Sequence, residues 1–76
     1  MAKQPDIQER DQTGRVKWFN AEKAYGFIAR DTGEDDCFVH GDSVVDGNAL
    51  RQGDKVRFDV ALGSKGPKAI EVRVSR

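Results

Sequence analysis

Apolar and polar residues alternate with a period of two along most of this 76-residue chain, and no internal repeat or heptad pattern interrupts them. The alternation predicts five short strands, at residues 15–20, 24–30, 36–40, 55–60 and 68–74. In the second, Tyr25 and Phe27 share one face while Gly26 and Ile28 share the other; in the third, Cys37 and Val39 oppose Phe38 and His40. The fourth turns Val56, Phe58 and Val60 inward and Lys55, Arg57 and Asp59 outward, and the fifth sends Ile70, Val72 and Val74 inward. A turn is predicted at residues 31–35, where Gly33 is free to take positive φ. Residues 41–53 break the period with glycines at 41, 47 and 53; Val44, Val45 and Leu50 are expected to pin this segment to the core, around one helical turn at most near residues 42–45. Residues 62–67 are expected to be a loop. Residues 1–12, polar apart from Ile7 and interrupted by Pro5, are expected to be a flexible tail ahead of one domain over residues 13–76. Five strands with glycine-rich turns predict an all-β, antiparallel barrel, because closure removes exposed strand edges without needing helices.

Composition sets limits around that barrel. Seventy-six residues make one domain, whose single core must supply nearly all the stability. No segment approaches the roughly 20 apolar residues of a membrane span, and the polar start is not expected to act as a secretory signal. A lone cysteine, Cys37, leaves no internal disulfide and no cysteine-based zinc cluster, and favours a reducing, cytoplasmic location. Cys37 falls in the inward phase, as a small buried apolar residue rather than a nucleophile. Net charge is formally zero but unevenly spread. Residues 31–50 hold six acids and no Lys or Arg, whereas the flanking segments are net basic, so a fold could join the basic ends and leave the acids elsewhere.

The aromatic residues then need an explanation. Val16, Ile28, Val39, Val56, Phe58, Ile70, Val72 and Val74 already make a plausible interior, which leaves Tyr25, Phe27, Phe38 and His40 on the opposite face. A ring cluster facing water is costly without a ligand. Single-stranded nucleic acid supplies one, since each base has a flat π-face worth about 1–3 kcal/mol on an aromatic ring. Lys17, Lys23, Lys65 and Lys68 are candidates for phosphates or base edges. Strict alternation from Val16 would turn Trp18 inward and Lys17 and Phe19 outward; a bulge in the first strand would bring Trp18 to the outer face, and periodicity does not choose. Phe19 is read as a partly buried flank of the platform. His40, the sole histidine, lacks a second ligand for a metal. No cofactor motif, phosphate loop or paired nucleophile is present, so no cofactor and no catalytic residue is expected.

These residues resemble the bacterial cold-shock proteins, relatives of the cold-shock domain of Y-box proteins. Gly14-Arg15-Val16-Lys17-Trp18-Phe19-Asn20 looks like the family's opening strand. Lys23-Ala24-Tyr25-Gly26-Phe27-Ile28 and Asp36-Cys37-Phe38-Val39-His40 resemble its two ribonucleoprotein motifs. Gly53-Asp54-Lys55-Val56-Arg57-Phe58 and Lys65-Gly66-Pro67-Lys68-Ala69 match its later strands and Lys-Gly-Pro loop. The resemblance implies a five-stranded oligonucleotide-binding (OB-fold) barrel with a shallow face carrying Lys17, Trp18, Phe19, Tyr25, Phe27, Phe38 and His40, and Lys65 at its edge. It also implies binding of single-stranded RNA and DNA with little sequence preference, often pyrimidine-rich, and loosening of RNA structure without ATP. A monomer is the expected state.

The chain departs from the family pattern in places. Gly41 stands where the family usually has Phe, and residues 41–50 contain no aromatic and are about two residues shorter. Ala24 replaces a usual glycine, a harmless change if the residue keeps ordinary strand angles. The acidic middle is expected to bias a bound strand toward the Lys17, Lys65 and Lys68 side. Two rival readings remain: a barrel whose rings recognise protein, and a related domain with weakened nucleic-acid binding.

Overall fold

The computed structural model describes residues 7–47, 49–64 and 66–75. Five strands close a barrel in the order β1-β2-β3-β5-β4: β1 (Ile7–Asn20), β2 (Tyr25–Arg30), β3 (Cys37–His40), β4 (Lys55–Gly63) and β5 (Gly66–Val74). All neighbours are antiparallel except β3 and β5, which run parallel. A 3-10 turn, Gly41–Ser43, follows β3. Among the described residues no helix is long and apolar enough to cross a membrane.

The barrel closes because β1 is long enough to serve two partners. Its first half pairs with β4, from Ile7↔Ala61 to Arg15↔Lys55, and its second half pairs with β2, from Gly14↔Arg30 to Asn20↔Tyr25. The crossing is tight at two glycines. A Cβ on Gly14 would stand 2.4 Å from the Ala29 carbonyl oxygen, and one on Gly26 would stand 2.2 Å from the Trp18 carbonyl oxygen. Any side chain at either place would force β1 and β2 apart.

Inside lie Val16, Ile28, Cys37, Val39, Leu50, Val56, Phe58, Val60, Ala69 and Val72, with Phe19, Val44 and Val74 packed against them at the edge. Strands β2, β3 and β4 keep the alternation expected of them. β5 does not. Asp59 faces Ile70 and Arg57 faces Arg73, so β5 carries an extra residue between those pairs, and Glu71 there takes φ 53°. The bulge shifts the phase: Ala69 fills the core, while Ile70, expected inside, is left half-buried.

Three further expectations change. Residues 62–63 and 66–67 are strand rather than loop, with Leu62↔Pro67 and Gly63↔Gly66 paired. In the segment after β3, Val44 and Leu50 do pack on the core, but Val45 is exposed; its N–H donates to the Val72 carbonyl, which turns its side chain outward. Ile7 to Gln12, read as tail, extend β1; residues 1–6 lie outside the described residues. Arg30 fixes this extension. Its guanidinium, 5% exposed, donates to the Glu9 carboxylate on β1 and, at 2.8 Å, to Glu34 in the β2–β3 turn.

Candidate nucleic-acid interface

The outer face of β1, β2 and β3 collects the rings, and a bulge in β1 decides which ones. Val16 faces Ile28 but Trp18 faces Phe27, so Lys17 is the extra residue. Past it the phase reverses. Trp18 turns outward and is 40% exposed, while Phe19 turns toward the core. Strict alternation would have exchanged them.

Register then aligns two rows across the sheet. Trp18, Phe27, Phe38 and Lys68 make the first; Asn20, Tyr25 and His40 make the second. Four rings form a closed circuit of contacts. Trp18 meets Tyr25 edge-on at 5.5 Å and Phe27 at 5.4 Å; Phe38 stacks on Tyr25 at 5.9 Å and meets Phe27 edge-on at 5.8 Å. Tyr25, Phe27 and Phe38 are half-buried, so the rings support one another and still show faces to solvent. The core beneath is filled by other residues, Phe58 the largest among them.

Polar groups border the rings. The exposed His40 accepts the Asp42 N–H at Nδ1 (3.1 Å), which leaves Nε2 as the outward donor in the neutral ring. Lys68 ends the first row and, with Phe38, Gly63, Ser64 and Gly66, lines a groove of about 300 Å³. Lys23 is exposed in the β1–β2 turn, where its backbone N–H donates to Asn20 Oδ1 at 3.0 Å. Lys65 lies outside the described residues. Lys17 is exposed but occupied, its Nζ 2.9 Å from Asp36 Oδ2. The sequence left room for a fold that kept the acids elsewhere; Asp36 instead reaches this corner because β3 begins at Cys37, level with Ile28 and Val16 across β2. A surface pair of this kind is worth at most about 1 kcal/mol, little enough for a phosphate to displace. Asp36, Asn20 and Ser64 were not among the expected site residues, since only register and the hairpin bring them to the rings.

The profile of the 'Cold-shock' DNA-binding domain matches residues 12–75. The chain belongs to the cold-shock domain family. Its relatives are close in length as well as sequence. The cold shock-like protein CspC of Bacillus cereus is 52% identical over 61 residues, spanning 78% of this chain and 92% of that protein. Cold shock protein CspC of Bacillus subtilis is 50% identical over 64 residues (82% and 96%). The cold shock-like protein CspB of Escherichia coli K12 is 45% identical over 65 residues (83% and 92%). The solved structure of drosophila Unr CSD456 superposes with a TM-score of 0.72 at 18% identity, over 91% of this chain and 28% of that one; at that identity it speaks for the fold alone. Membership of this nucleic-acid-binding family accounts for the barrel.

Proposed function

We propose that this cold-shock domain binds single-stranded RNA and DNA by stacking bases on Trp18, Tyr25, Phe27 and Phe38, with His40 as a fifth ring and donor. Lys17, Lys23, Lys65 and Lys68 attract phosphates or meet base edges, and Phe19 buttresses the platform from the core side. The observation that carries this reading is the four-ring circuit on a sheet face whose core is complete without it. Stacking tolerates many sequences because every base has a π-face, so specificity is low; the resemblance to the cold-shock proteins favours pyrimidine-rich strands. The protein acts as a cytoplasmic monomer, without cofactor, as an RNA chaperone or a regulator of transcription or translation. Mass action suffices for that work: a protein that binds unpaired strands and not duplexes draws the equilibrium toward open RNA.

Fluorescence titration tests the proposal, because Trp18 is the only tryptophan. An unstructured pyrimidine-rich oligonucleotide should quench it, a matched duplex should not, and added salt should weaken binding moderately, since few phosphates are neutralised. Absence of quenching together with absence of a shift in an independent binding assay at low salt would refute it.

A further inference from the structure

The rings occupy only part of the barrel wall. In the order β1-β2-β3-β5-β4, strand β4 neighbours β1 and β5, so it lies across the barrel from β2 and β3. Its outer side is charged, and register sorts the charges into rows. Arg57 pairs with Thr13 of β1 and with Arg73 of β5. One row on, Lys55 pairs with Arg15, and its carbonyl accepts the Ser75 N–H. At the opposite end Asp11, Asp59 and Glu71 line a shallow groove beside Arg57 and Arg73. Asp59 is engaged there, accepting the Asp11 N–H at 3.0 Å and lying 4.0 Å from Arg10. Asp31 stands at the β1 edge, accepting the Thr13 hydroxyl at 2.7 Å.

The basic rows are not neutralised in this way. Arg15, Lys55, Arg57 and Arg73 are exposed, and among the described residues none of them forms an ion pair. Arg15 gives one side-chain hydrogen bond, from Nη1 to the Gly53 carbonyl at 3.3 Å. Arg57 and Arg73 are direct cross-strand partners, so their Cβ atoms are about 5 Å apart. Like charges so placed destabilise a sheet. The fold gains nothing from this pair, and a bound anion would relieve it. Spacing and chemistry say which anion. The four cations cover about 10 by 7 Å, room for two or three successive phosphates at about 3.4 Å each. Three of them are arginines, whose planar fork matches phosphate oxygens in pairs. Every Phe, Tyr and Trp lies among the surface rings or in and against the core, so none is left here to stack a base or to anchor a protein partner.

We infer that the outer side of β4, with Arg15 on one hand and Arg73 on the other, is a second nucleic-acid site that holds phosphates without reading bases. One chain then bridges two segments, an unpaired strand on the rings and another backbone across a barrel whose shortest dimension is 22 Å. The site goes beyond the ring-face reading and has a readout of its own.

An abasic deoxyribose-phosphate oligomer of about ten units tests it, because it offers phosphates and no base. Titrated into the full chain, it should shift the NMR amide signals of Arg15, Lys55, Arg57 and Arg73 and leave Trp18 fluorescence unquenched. With four cations engaged, log affinity against log salt should have a slope of about −2.8, falling to about −1.4 in Arg57→Gln/Arg73→Gln. An unchanged slope, or amide shifts confined to the ring face, overturns the site. Lys17→Gln/Lys23→Gln removes the same charge on the ring side; an equal change of slope there would mean diffuse attraction and no site. The arginine variant should melt at or above the parent's midpoint, and a lower midpoint would show that the pair serves the fold instead. Its Trp18 quenching by a pyrimidine-rich strand should be unchanged; a comparable loss would make these cations part of the ring-face path. Polyglutamate of matched charge should bind more weakly than the abasic oligomer, and equal or tighter binding would assign the face to an acidic protein. Abasic binding without any quenching by base-bearing strands would remove the ring-face reading and leave this site standing.

Discussion

With φ at 57°, Ala24 holds a left-handed conformation in which its methyl group crowds the neighbouring carbonyl. It does not have the ordinary strand angles that would make this replacement of glycine harmless. Ala24→Gly should therefore stabilise the domain by about 0.5–1 kcal/mol, the strain relieved less the entropy that glycine adds to the unfolded chain. Urea denaturation measures it, and a variant no more stable than the parent would contradict the strain. Cys37 makes a different point. Burial pushes its thiol pKa up, against a smaller opposing pull from the Arg30 guanidinium. The folded state thus keeps the thiol neutral. Its contribution to stability is complete below the ordinary thiol range of about 8.5 and is lost as pH rises through the folded pKa. Stability should decline on the alkaline side, and Cys37→Ala should flatten that decline. In the folded protein at about pH 8, thiol reagents should react only as fast as the barrel opens; immediate labelling would show Cys37 to be accessible.

Among the elements, β1 does the most. Its first half closes the barrel on β4, its bulge at Lys17 sends Trp18 outward, and its second half aligns the rings with β2. The extension from Ile7 to Gln12 is held by Glu9 on the nearly buried Arg30 guanidinium, whose Nε has no partner. Glu9→Ala leaves that buried charge with Glu34 alone. The expected loss is about 1–3 kcal/mol of stability, with oligonucleotide affinity unchanged because Arg30 is not among the rings. A midpoint of thermal unfolding equal to the parent's would mean that the extension contributes nothing, as a flexible tail would.

At the scale of the whole molecule, folding and binding fall to different sides of the same sheet. Phe58 is 1% exposed in the core, whereas Phe27 is half-buried among the surface rings. Phe58→Ala should remove about 3–5 kcal/mol of stability, comparable with the whole stability of so small a domain. Phe27→Ala should weaken oligonucleotide binding by about 1–3 kcal/mol while moving the unfolding midpoint much less. Paired calorimetry and binding titration distinguish the two; a large fall in the Phe27→Ala midpoint with affinity kept would assign Phe27 to the core. Charge is divided too, though less cleanly than its run along the chain suggests, since Asp36 from the acidic middle meets Lys17 at the edge of the rings.

The sequence by itself determined the barrel and most of its inner and outer faces. Period-two alternation is a local property, and in β2, β3 and β4 each residue's phase follows from its neighbour's. It also supplied Tyr25, Phe27, Phe38 and His40, because those strands are regular. Tertiary structure decided Trp18, Phe19, Ile70 and the fate of residues 7–12. Each depends on where a strand inserts an extra residue or finds a partner: the bulges at Lys17 and Glu71 invert the phase beyond them, and Ile7 becomes strand only because Ala61 on β4 is there to pair with it. Alternation along one strand cannot place such an insertion, since which residue is left unpaired is settled by the register with the partner strand and not by the order of apolar and polar residues. The Lys17–Asp36 pair is of the same kind, formed between residues 19 apart that only the register of β1, β2 and β3 brings together.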